Sequence, residues 1–470
     1  MGVDTSTAAL DRFLDRFPTY ASTAVFDEIR RREFARLDTQ QVVYLDYTGG
    51  GLYPSSVVQK HAEFLNSHVL GNPHSVNPPS ALAGERIEQC RAHVLEFFNA
   101  DPDEYAVVFT ANASHALKLV GEAYPFEPGD QLLLTFDNHN SVNGIREFDR
   151  AHGAETAYVP VVPPDLRVDD THLRHRLEQA NPEGHNLFAF PAQSNFSGVQ
   201  HPLGWVAEAQ ALGWDVLLDA AAFVPTNRLD LATVRPDYVA LSFYKMFGHP
   251  TGVGALIARR SALLKLHRPW FAGGTITVAS VQGDRFFLAD GATAFEDGTL
   301  DYTNIPAVDA GLGFLEVVGR DQLHERLRCL TGWLLDEMQA MTHGSGRPLV
   351  KIYGPRDTSA RGATVAFNLH DSAGELVPHS EVERLAGAKG ISLRTGCFCN
   401  PGAGELAFEL SAGELDRCFA ESGDRMTKDD FGRCLVGGES PGAVRVSLGV
   451  ASTFDDVQAF LRFLEGFRGA

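Results

Sequence analysis

Residues 215–254 read DVLLDAAAFVPTNRLDLATVRPDYVALSFYKMFGHPTGVG, and they decide the predicted fold. Two apolar, β-rich runs stand in this stretch: one ends at Asp219, and the other, Tyr238–Phe243, leads into Lys245. Runs that are apolar on both faces are typical of strands in a parallel sheet that is covered on both sides. The carboxylate of Asp219 and the amine of Lys245 are then expected at the carboxyl edge of the sheet, where open α/β sheets bind ligands.

Further runs of the same kind lie on both sides of this stretch. Helical patterns separate them, which indicates an α/β protein with a mostly parallel sheet covered by helices. We predict a large domain over residues 72–315. Its predicted strands are Tyr105–Phe109, Gln131–Phe136, Thr156–Val161, Leu187–Pro191, Val216–Asp219, Tyr238–Phe243 and Gly254–Ala258, and its predicted helices include Ala113–Tyr124, Asp170–Ala180 (capped by Asp170) and Trp205–Leu212.

The C-terminal part has an α+β pattern, and we assign it to a smaller domain, on which the N-terminal segment packs (1–71 and 316–470). Residues 395–442 are rich in Gly, Cys and charge. We predict long loops there with a short helix or two, and loops of that length are usually functional or mobile. The other predicted elements are a helix at Arg320–Met341, strands near Val350–Tyr353, Ala363–Leu369 and Ala443–Ser447, and a closing helix at Phe454–Phe467.

Composition restricts the kinds of partner. The 470 residues carry a formal charge of −20, whereas nucleic acids and anionic membranes need clustered Lys and Arg. No apolar run approaches the roughly 20 residues that span a bilayer, and the first thirty residues lack the apolar stretch of a signal peptide. We therefore expect a cytoplasmic protein that binds neither nucleic acid nor a membrane. Six cysteines in so long a chain do not resemble a disulfide scaffold.

An acid and a lysine at the ends of successive strands fit the cofactor pyridoxal 5'-phosphate (PLP). The ring of PLP draws electrons from the substrate, and for this it needs an acid facing its pyridinium nitrogen and a lysine that holds the cofactor. Alone, Asp219 fits a helix N-cap before Ala220, and Lys245 fits an ordinary solvated lysine. Together, the two residues favour the cofactor interpretation.

Other strand ends provide candidate groups for the rest of the cofactor. A phosphate needs backbone N–H groups and hydroxyls at a helix N-terminus, which Ala113 and Ser114 offer, with Ser242 as a second hydroxyl. Ser114 equally fits a simple N-cap. His139 follows another strand, and its imidazole can stack on the pyridine ring, although a lone histidine is more often structural. Asn195 ends a fourth strand and can donate to the ring hydroxyl.

The string Arg394-Thr-Gly-Cys397-Phe-Cys399-Asn-Pro-Gly402 is the most distinctive in the chain. No matching Cys or His pair lies near it, so we predict no metal site. Its Gly and Pro residues indicate an accessible loop, in which a thiol beside Arg394 can become a reactive thiolate. Buried, inert cysteines and a redox pair of Cys397 with Cys399 are the alternatives.

Arg445 lies on a predicted strand close to the C-terminus. An arginine fork is suited to the bidentate binding of a substrate α-carboxylate. Taken alone, the residue fits a surface ion pair better.

Four segments together resemble a known family: Asp219-Ala-Ala-Ala, Ser242-Phe-Tyr-Lys-Met-Phe-Gly248, Arg394–Gly402 and Arg445-Val-Ser-Leu-Gly449. They are similar to the cysteine-desulfurase-like domain of molybdenum cofactor sulfurases, which belongs to the class V aminotransferase group of fold-type I PLP enzymes. The similarity runs from about Tyr44-Leu-Asp46 to the C-terminus. The string at 394–402 is highly specific, whereas the lysine segment identifies only the broader group.

The resemblance implies a PLP-dependent cysteine desulfurase, a homodimer that converts L-cysteine to L-alanine. Cys399 would carry the sulfur as a persulfide and pass it to an acceptor, which requires a mobile loop. By their positions, the other residues implied are Lys245 as the Schiff-base lysine, Asp219 as the partner of the pyridinium nitrogen, His139 as the stacking histidine, Asn195 at the ring hydroxyl, Arg445 at the substrate carboxylate and Thr275 at the phosphate of the neighbouring subunit.

Some features depart from the family pattern and leave alternatives open. Position 222 is Ala where many desulfurases have a polar residue at the ring oxygen, and Tyr244 stands where many have a histidine. The sulfurases carry a further C-terminal domain that we do not find in these 470 residues, so the acceptor is open, as is any relay role of Cys397, Cys418 or Cys434. One alternative is a PLP-dependent lyase or aminotransferase-like enzyme acting on selenocysteine or another modified amino acid. The other is a non-catalytic sulfur-relay subunit.

Overall fold

The N-terminal segment is mainly helical and contacts the C-terminal part of the chain. The structure is a computed structural model that describes residues 5–421, 425–435 and 441–469. Val43 pairs in parallel with Ile391 of the C-terminal part. Its elements are α1 (Thr5–Arg16), a 3-10 helix (Pro18–Thr23), α2 (Val25–Glu33), α3 (Arg36–Thr39), β1 (Val43–Tyr44) and α4 (Ser55–Ser67).

The central part of the chain alternates strands and helices, as predicted. Its strands are β2 (Tyr105–Thr110), β3 (Gln131–Thr135), β4 (Glu155–Val159), β5 (Val161–Val162), β6 (Arg167–Val168), β7 (Asn186–Pro191), β8 (Asp215–Asp219), β9 (Tyr238–Ser242), β10 (Gly254–Arg259), β11 (Ile276–Ser280) and β12 (Arg285–Leu288). Its helices are α5 (Pro78–Phe97), α6 (Ala113–Ala123), α7 (Asn140–Asn143), α8 (Ile145–His152), α9 (Asp170–Leu177), α10 (Trp205–Ala211), α11 (Phe243–Phe247), α12 (Arg260–Leu263), a 3-10 helix (Gly291–Phe295) and α13 (Ile305–Val318).

Seven of these strands form one sheet in the order β2-β10-β9-β8-β7-β3-β4. β10 runs antiparallel to both of its neighbours, and the other pairs are parallel. β2, β7 and β9 are buried along their whole length, because helices cover both faces of the sheet. The predicted α/β class and the mostly parallel sheet are therefore confirmed. The carboxyl ends of β2, β3, β7, β8 and β9 lie at one edge of this sheet.

The C-terminal part adds a second, antiparallel sheet in the order β13-β14-β17-β16. The predicted long helix, three strands and closing helix are all present, with ends that differ by at most two residues. The elements are α14 (Arg320–Ala340), β13 (Val350–Tyr353), β14 (Thr364–Leu369), α15 (His379–Ala388), β15 (Ile391–Ser392), β16 (Arg394–Gly396), α16 (Pro401–Ala407), α17 (Ala412–Glu421), α18 (Lys428–Cys434), β17 (Ala443–Ser447) and α19 (Phe454–Glu465).

Two local predictions in the central part were wrong. The predicted strand Thr156–Val161 is divided at Pro160, because proline has no N–H to donate to the sheet, and Val161 pairs in a separate hairpin. Helix α9 is capped by Asp169 rather than Asp170, since the Asp169 carboxylate accepts from the N–H groups of Thr171 and His172. The helix also ends at Leu177, three residues before the predicted end.

The segment 395–442 is more helical than predicted. Three helices, α16 to α18, lie in its described part instead of one or two. Asn400 caps α16 with Pro401 in the first turn, and Thr427 forms a capping box with Asp430 at α18. A disulfide between Cys418 and Cys434 joins α17 to α18, and the sequence analysis did not predict it. None of the helices in the described ranges is long and apolar enough to cross a membrane.

Candidate active site

A cavity of about 160 Å³ opens at the carboxyl edge of the large sheet. Seven of the predicted site residues line it, and they come from the ends of five different strands. Asn112, Ser141, Gln193 and Tyr244 also line this cavity. The seven predicted residues are Ala113, Ser114, His139, Asn195, Asp219, Ser242 and Lys245.

Lys245 lies in α11, the short helix that follows β9. Gly248 ends this helix at φ +75°, and a Cβ there would lie 2.3 Å from the backbone N of Tyr53. The turn that presents the lysine therefore requires glycine. Burial lowers the pKa of the Lys245 amine from its ordinary value, while the charge of Asp219 opposes that shift. A lysine with a lowered pKa is more often neutral, as a nucleophile or general base must be.

Asp219 ends β8 and is 8% exposed. Its Oδ1 accepts a hydrogen bond from the Ala221 N–H at 3.0 Å. No helix follows it, so the alternative of a helix N-cap is wrong, and a turn takes that place. Within the part of the chain that the structure describes, Oδ2 has no hydrogen-bond partner, and it remains available to an N–H donor in the cavity.

His139 follows β3, and hydrogen bonding fixes its protonation pattern. The Ser141 backbone N–H donates to Nδ1 at 3.1 Å, so the neutral ring carries its proton on Nε2. Burial lowers the pKa of His139, although the charge of Asp219 opposes the shift. The imidazole is therefore neutral near pH 7, which suits a side chain that stacks on an aromatic ring.

The N-terminus of α6 and two serines form one end of the cavity. Asn112 caps this helix, and the Ala113 N–H donates to Ser242 Oγ at 2.8 Å. The hydroxyls of Ser114 and Ser141 lie 2.6 Å apart. A helix N-terminus with hydroxyls beside it is suited to a phosphate. The sequence analysis missed Ser141, which lies two residues after His139 in the same strand-end loop.

Asn195 connects the cavity to the loop that carries the two cysteines. Its Nδ2 donates to the Phe398 carbonyl at 2.7 Å, and its Oδ1 accepts from Asn400 Nδ2 at 3.0 Å. Asn400 Nδ2 also donates to the Asp137 carbonyl at 2.6 Å. The sequence analysis did not consider Asn400, which contacts two strand-end loops far from it in the chain.

The cysteine loop lies against the cavity. Phe398 and Cys399 both have φ +56°, and the Cys399 carbonyl accepts from the Asn140 N–H at 2.7 Å. Cys397 and Cys399 are exposed free thiols, so they are neither buried nor paired with each other. Cys399 does not line the cavity. Its loop nonetheless contacts the cavity wall, because the Phe398 carbonyl accepts from Asn195.

Arg445 is 3% exposed, so the alternative of a surface ion pair is wrong. Its Nη1 donates to the Asn195 carbonyl at 2.9 Å, and its Nη2 donates to Asp46 Oδ1 at 3.1 Å. The ring of Phe398 lies 4.6 Å from its Cζ. The buried Nε has no hydrogen-bond partner within the described ranges. The guanidinium therefore has a donor free for a carboxylate, next to the cavity rather than in its wall.

Asp46 holds Arg445 in place, a role that the sequence analysis missed. Its carboxylate is almost buried, and it also accepts from Arg394 Nε at 2.9 Å. Removing it would leave the buried Arg445 without its anionic partner. We expect Asp46→Ala to lower the free energy of unfolding by about 3 kcal/mol or more, measured by urea denaturation of the cofactor-free protein.

The control for this prediction is Glu381→Ala, which breaks an exposed ion pair with Arg384 on α15. We expect little change there, because solvent screens such a pair. Equal unfolding midpoints for Asp46→Ala and the unchanged protein would contradict the account of Arg445.

Thr275 does not line the cavity. Its hydroxyl donates to the Ala272 carbonyl at 2.8 Å, within its own loop. The hairpin of β11 and β12 follows and exposes the apolar side chains Val278, Val281, Phe286 and Phe287. Within the described ranges, no three His, Cys, Asp or Glu side chains are grouped so that they could hold a metal ion.

The model of the aminotransferase class-V family matches residues 43–460. The chain belongs to the aminotransferase class-V family. Curated relatives named molybdenum cofactor sulfurase are 35% identical in Solanum lycopersicum, over 97% of this chain and 59% of the relative, and 36% identical in Homo sapiens, over 93% and 51%. The chain thus spans little more than half the length of these relatives. The resemblance noted in the sequence is confirmed.

Solved structures of this class-V fold confirm the fold prediction. A cysteine desulfurase from Thermococcus onnurineus NA1 superposes with a TM-score of 0.76 at 24% identity, over 93% of this chain and 97% of that one. A cysteine desulfurase from Escherichia coli gives 0.72 at 22% identity, with the same coverage of both chains. At these identities the superpositions establish the fold.

Proposed function

We propose that this class-V protein is a PLP-dependent cysteine desulfurase that forms a persulfide on Cys399. The observation that carries the proposal is a single cavity lined by Lys245, Asp219 and His139, with the loop of Cys399 lying against it. The names of the curated relatives and of the solved structures support the same reaction.

The residues of the cavity fit PLP. Lys245 is a buried amine with a lowered pKa, and Asp219 has a free carboxylate oxygen for the ring N–H. His139 is a neutral aromatic ring, and the N-terminus of α6 with Ser114 offers donors for a phosphate. We therefore propose that these residues hold the cofactor, as the sequence analysis predicted.

The chain's own residues would carry the proton transfers. PLP, when bound, supplies an electron sink for the charge that develops at the substrate Cα. Asp219 keeps the proton on the ring nitrogen, and Lys245 removes the proton from Cα as general base. The free Nε of Arg445 binds the substrate carboxylate, which requires the ring of Phe398 to move from the guanidinium.

Sulfur transfer would then depend on Cys399. Its thiolate attacks the sulfur of the substrate, so an S–S bond forms and the Cβ–S bond breaks. The electron pair of the broken bond goes to carbon, which is protonated to give the methyl group of alanine. The loop must bring Cys399 into the cavity, which it does not line in this structure, and a mobile loop therefore remains part of the proposal.

The organisation of the protein is proposed on the same basis. We propose a large domain of residues 72–315 and a smaller one of 1–71 and 316–470, which the two separate sheets support. We also propose a homodimer in which Thr275, a buried residue just before the exposed hairpin of β11 and β12, completes the partner's phosphate site. A monomer in sedimentation experiments would contradict the dimer. The acceptor of the sulfur is open, and a cytoplasmic location stays a prediction.

The test of the proposed reaction is alanine release. Protein loaded with PLP and given L-cysteine with a thiol reductant should release alanine over many turnovers. No alanine from protein with bound cofactor and excess L-cysteine would contradict the proposal.

A further inference from the structure

We propose that Gln193 donates a hydrogen bond from Nε2 to the ring oxygen of the bound cofactor. The inference rests on the proposed PLP site and assigns a residue that the sequence analysis did not consider. Gln193 follows β7, is 3% exposed, and lines the cavity together with Ala222 and Lys245. Position 222, as an alanine, has no polar group to offer there.

The chemistry of the cofactor determines which wall of the cavity faces the oxygen on the pyridine ring. On the pyridine ring, the carbon that bears the reactive aldehyde stands between the carbon that bears the oxygen and the carbon that bears the phosphate arm. With the phosphate at the N-terminus of α6, the oxygen points away from that helix. A second cavity of about 20 Å³ lies on that side, shares Gln193, Ala222 and Lys245 with the first, and has no residue of α6 in its wall.

A chain of hydrogen bonds fixes the orientation of the Gln193 amide. Asn227 Nδ2 donates to the Phe223 carbonyl at 2.9 Å, so Asn227 Oδ1 must be an acceptor. It accepts from Gln200 Nε2 at 3.0 Å, and the same Nε2 lies 3.1 Å from Gln193 Oε1. Oε1 of Gln193 is thereby occupied as an acceptor. Its Nε2 has no hydrogen-bond partner in the described ranges and is left for a ligand.

The backbone opposite Gln193 leaves room for this amide. A Cβ at Gly362 would lie 2.1 Å from Gln193 Oε1 and 2.7 Å from Nε2. Any larger residue at 362 would therefore displace the amide. This position provides a second way to test the inference without changing Gln193.

Other polar groups on this side have partners of their own, whereas Gln193 Nε2 has none within the described ranges. The hydroxyls of Thr48 and Thr364 bond to each other at 2.7 Å, and one N–H of Asn195 Nδ2 donates to the Phe398 carbonyl. A donor to the ring oxygen stabilises its deprotonated form, because hydrogen bonds to charged groups are stronger than neutral ones. Loss of the donor should therefore raise the pH at which the visible absorption of the bound cofactor titrates.

The experiment follows the absorption spectrum of the PLP-loaded full chain across pH. We expect Gln193→Leu to raise the titration midpoint by about one unit and to weaken PLP binding about tenfold. Gly362→Ala should shift the midpoint in the same direction. Agreement between the two variants would exclude a folding defect of Gln193→Leu as the cause of the shift. Gln89→Leu, on the exposed face of α5 and in the wall of neither cavity, is the matched control and should leave the midpoint unchanged.

Two results would overturn the inference, and they are distinguishable. If the unchanged protein binds PLP and both Gln193→Leu and Gly362→Ala titrate as it does, Gln193 does not contact the ring oxygen. If the unchanged protein shows no absorption of bound PLP at all, the proposed cofactor itself is wrong.

Discussion

Replacing Lys245 with alanine is expected to lower alanine production from L-cysteine by roughly 10³-fold or more. The lysine would supply both the covalent attachment of the cofactor and the general base at Cα, and no other lysine among the described residues lines the cavity. The variant should fold, because it loses a buried amine whose charged form burial disfavours. Steady-state alanine assays measure the loss of turnover. Mass spectrometry of the protein after borohydride reduction measures the loss of covalently attached cofactor.

The control for Lys245→Ala is Lys118→Ala, which removes an exposed lysine from α6. It should keep full activity and a cofactor that borohydride fixes to the protein. Retained covalent cofactor in Lys245→Ala would show that another amine is the attachment site and would contradict the assignment.

Replacing Cys399 with alanine is expected to reduce alanine turnover at least about 100-fold while PLP stays bound. Without this thiolate nothing in the proposed reaction accepts the substrate sulfur. Cys399 does not line the cavity, so its loss leaves the binding site intact. The measurement is alanine formation together with the absorption of the bound cofactor.

Cys397→Ala is the matched control, since Cys397 is also an exposed free thiol and lies two residues away. It should retain turnover. Undiminished alanine formation by Cys399→Ala would contradict persulfide formation at this residue. Undiminished release of sulfide with another product would instead favour a lyase, the alternative that does not use Cys399.

The sequence predicted the sheet well because its strands are apolar on both faces. Of the seven predicted strands, only Thr156–Val161 is not one continuous strand. Pro160 interrupts its hydrogen bonding, and the two parts pair in different sheets. Residues at strand ends, such as Asp219 and Lys245, were found by the same pattern, since parallel strands bring their carboxyl ends to one edge.

The contacts that the sequence could not predict join distant segments. Asp46 is 399 residues from Arg445, and no local pattern pairs the two. The contact of Asn195 with the Phe398 carbonyl, 203 residues away, is of the same kind. The disulfide of Cys418 with Cys434 spans only 16 residues and joins two successive helices. Gln193 gave a weaker signal, a polar residue two positions before Asn195 at a strand end, and its role depends on an amide orientation that only the structure shows.

The most direct test of the account is a single turnover of the PLP-loaded protein with L-cysteine and no reductant. The account predicts close to one alanine per protein chain and one added sulfur atom on the peptide that contains Cys399. Catalytic alanine release should follow when a thiol reductant is added. A protein with bound PLP that yields no alanine from excess L-cysteine, or alanine without sulfur on that peptide, would contradict it.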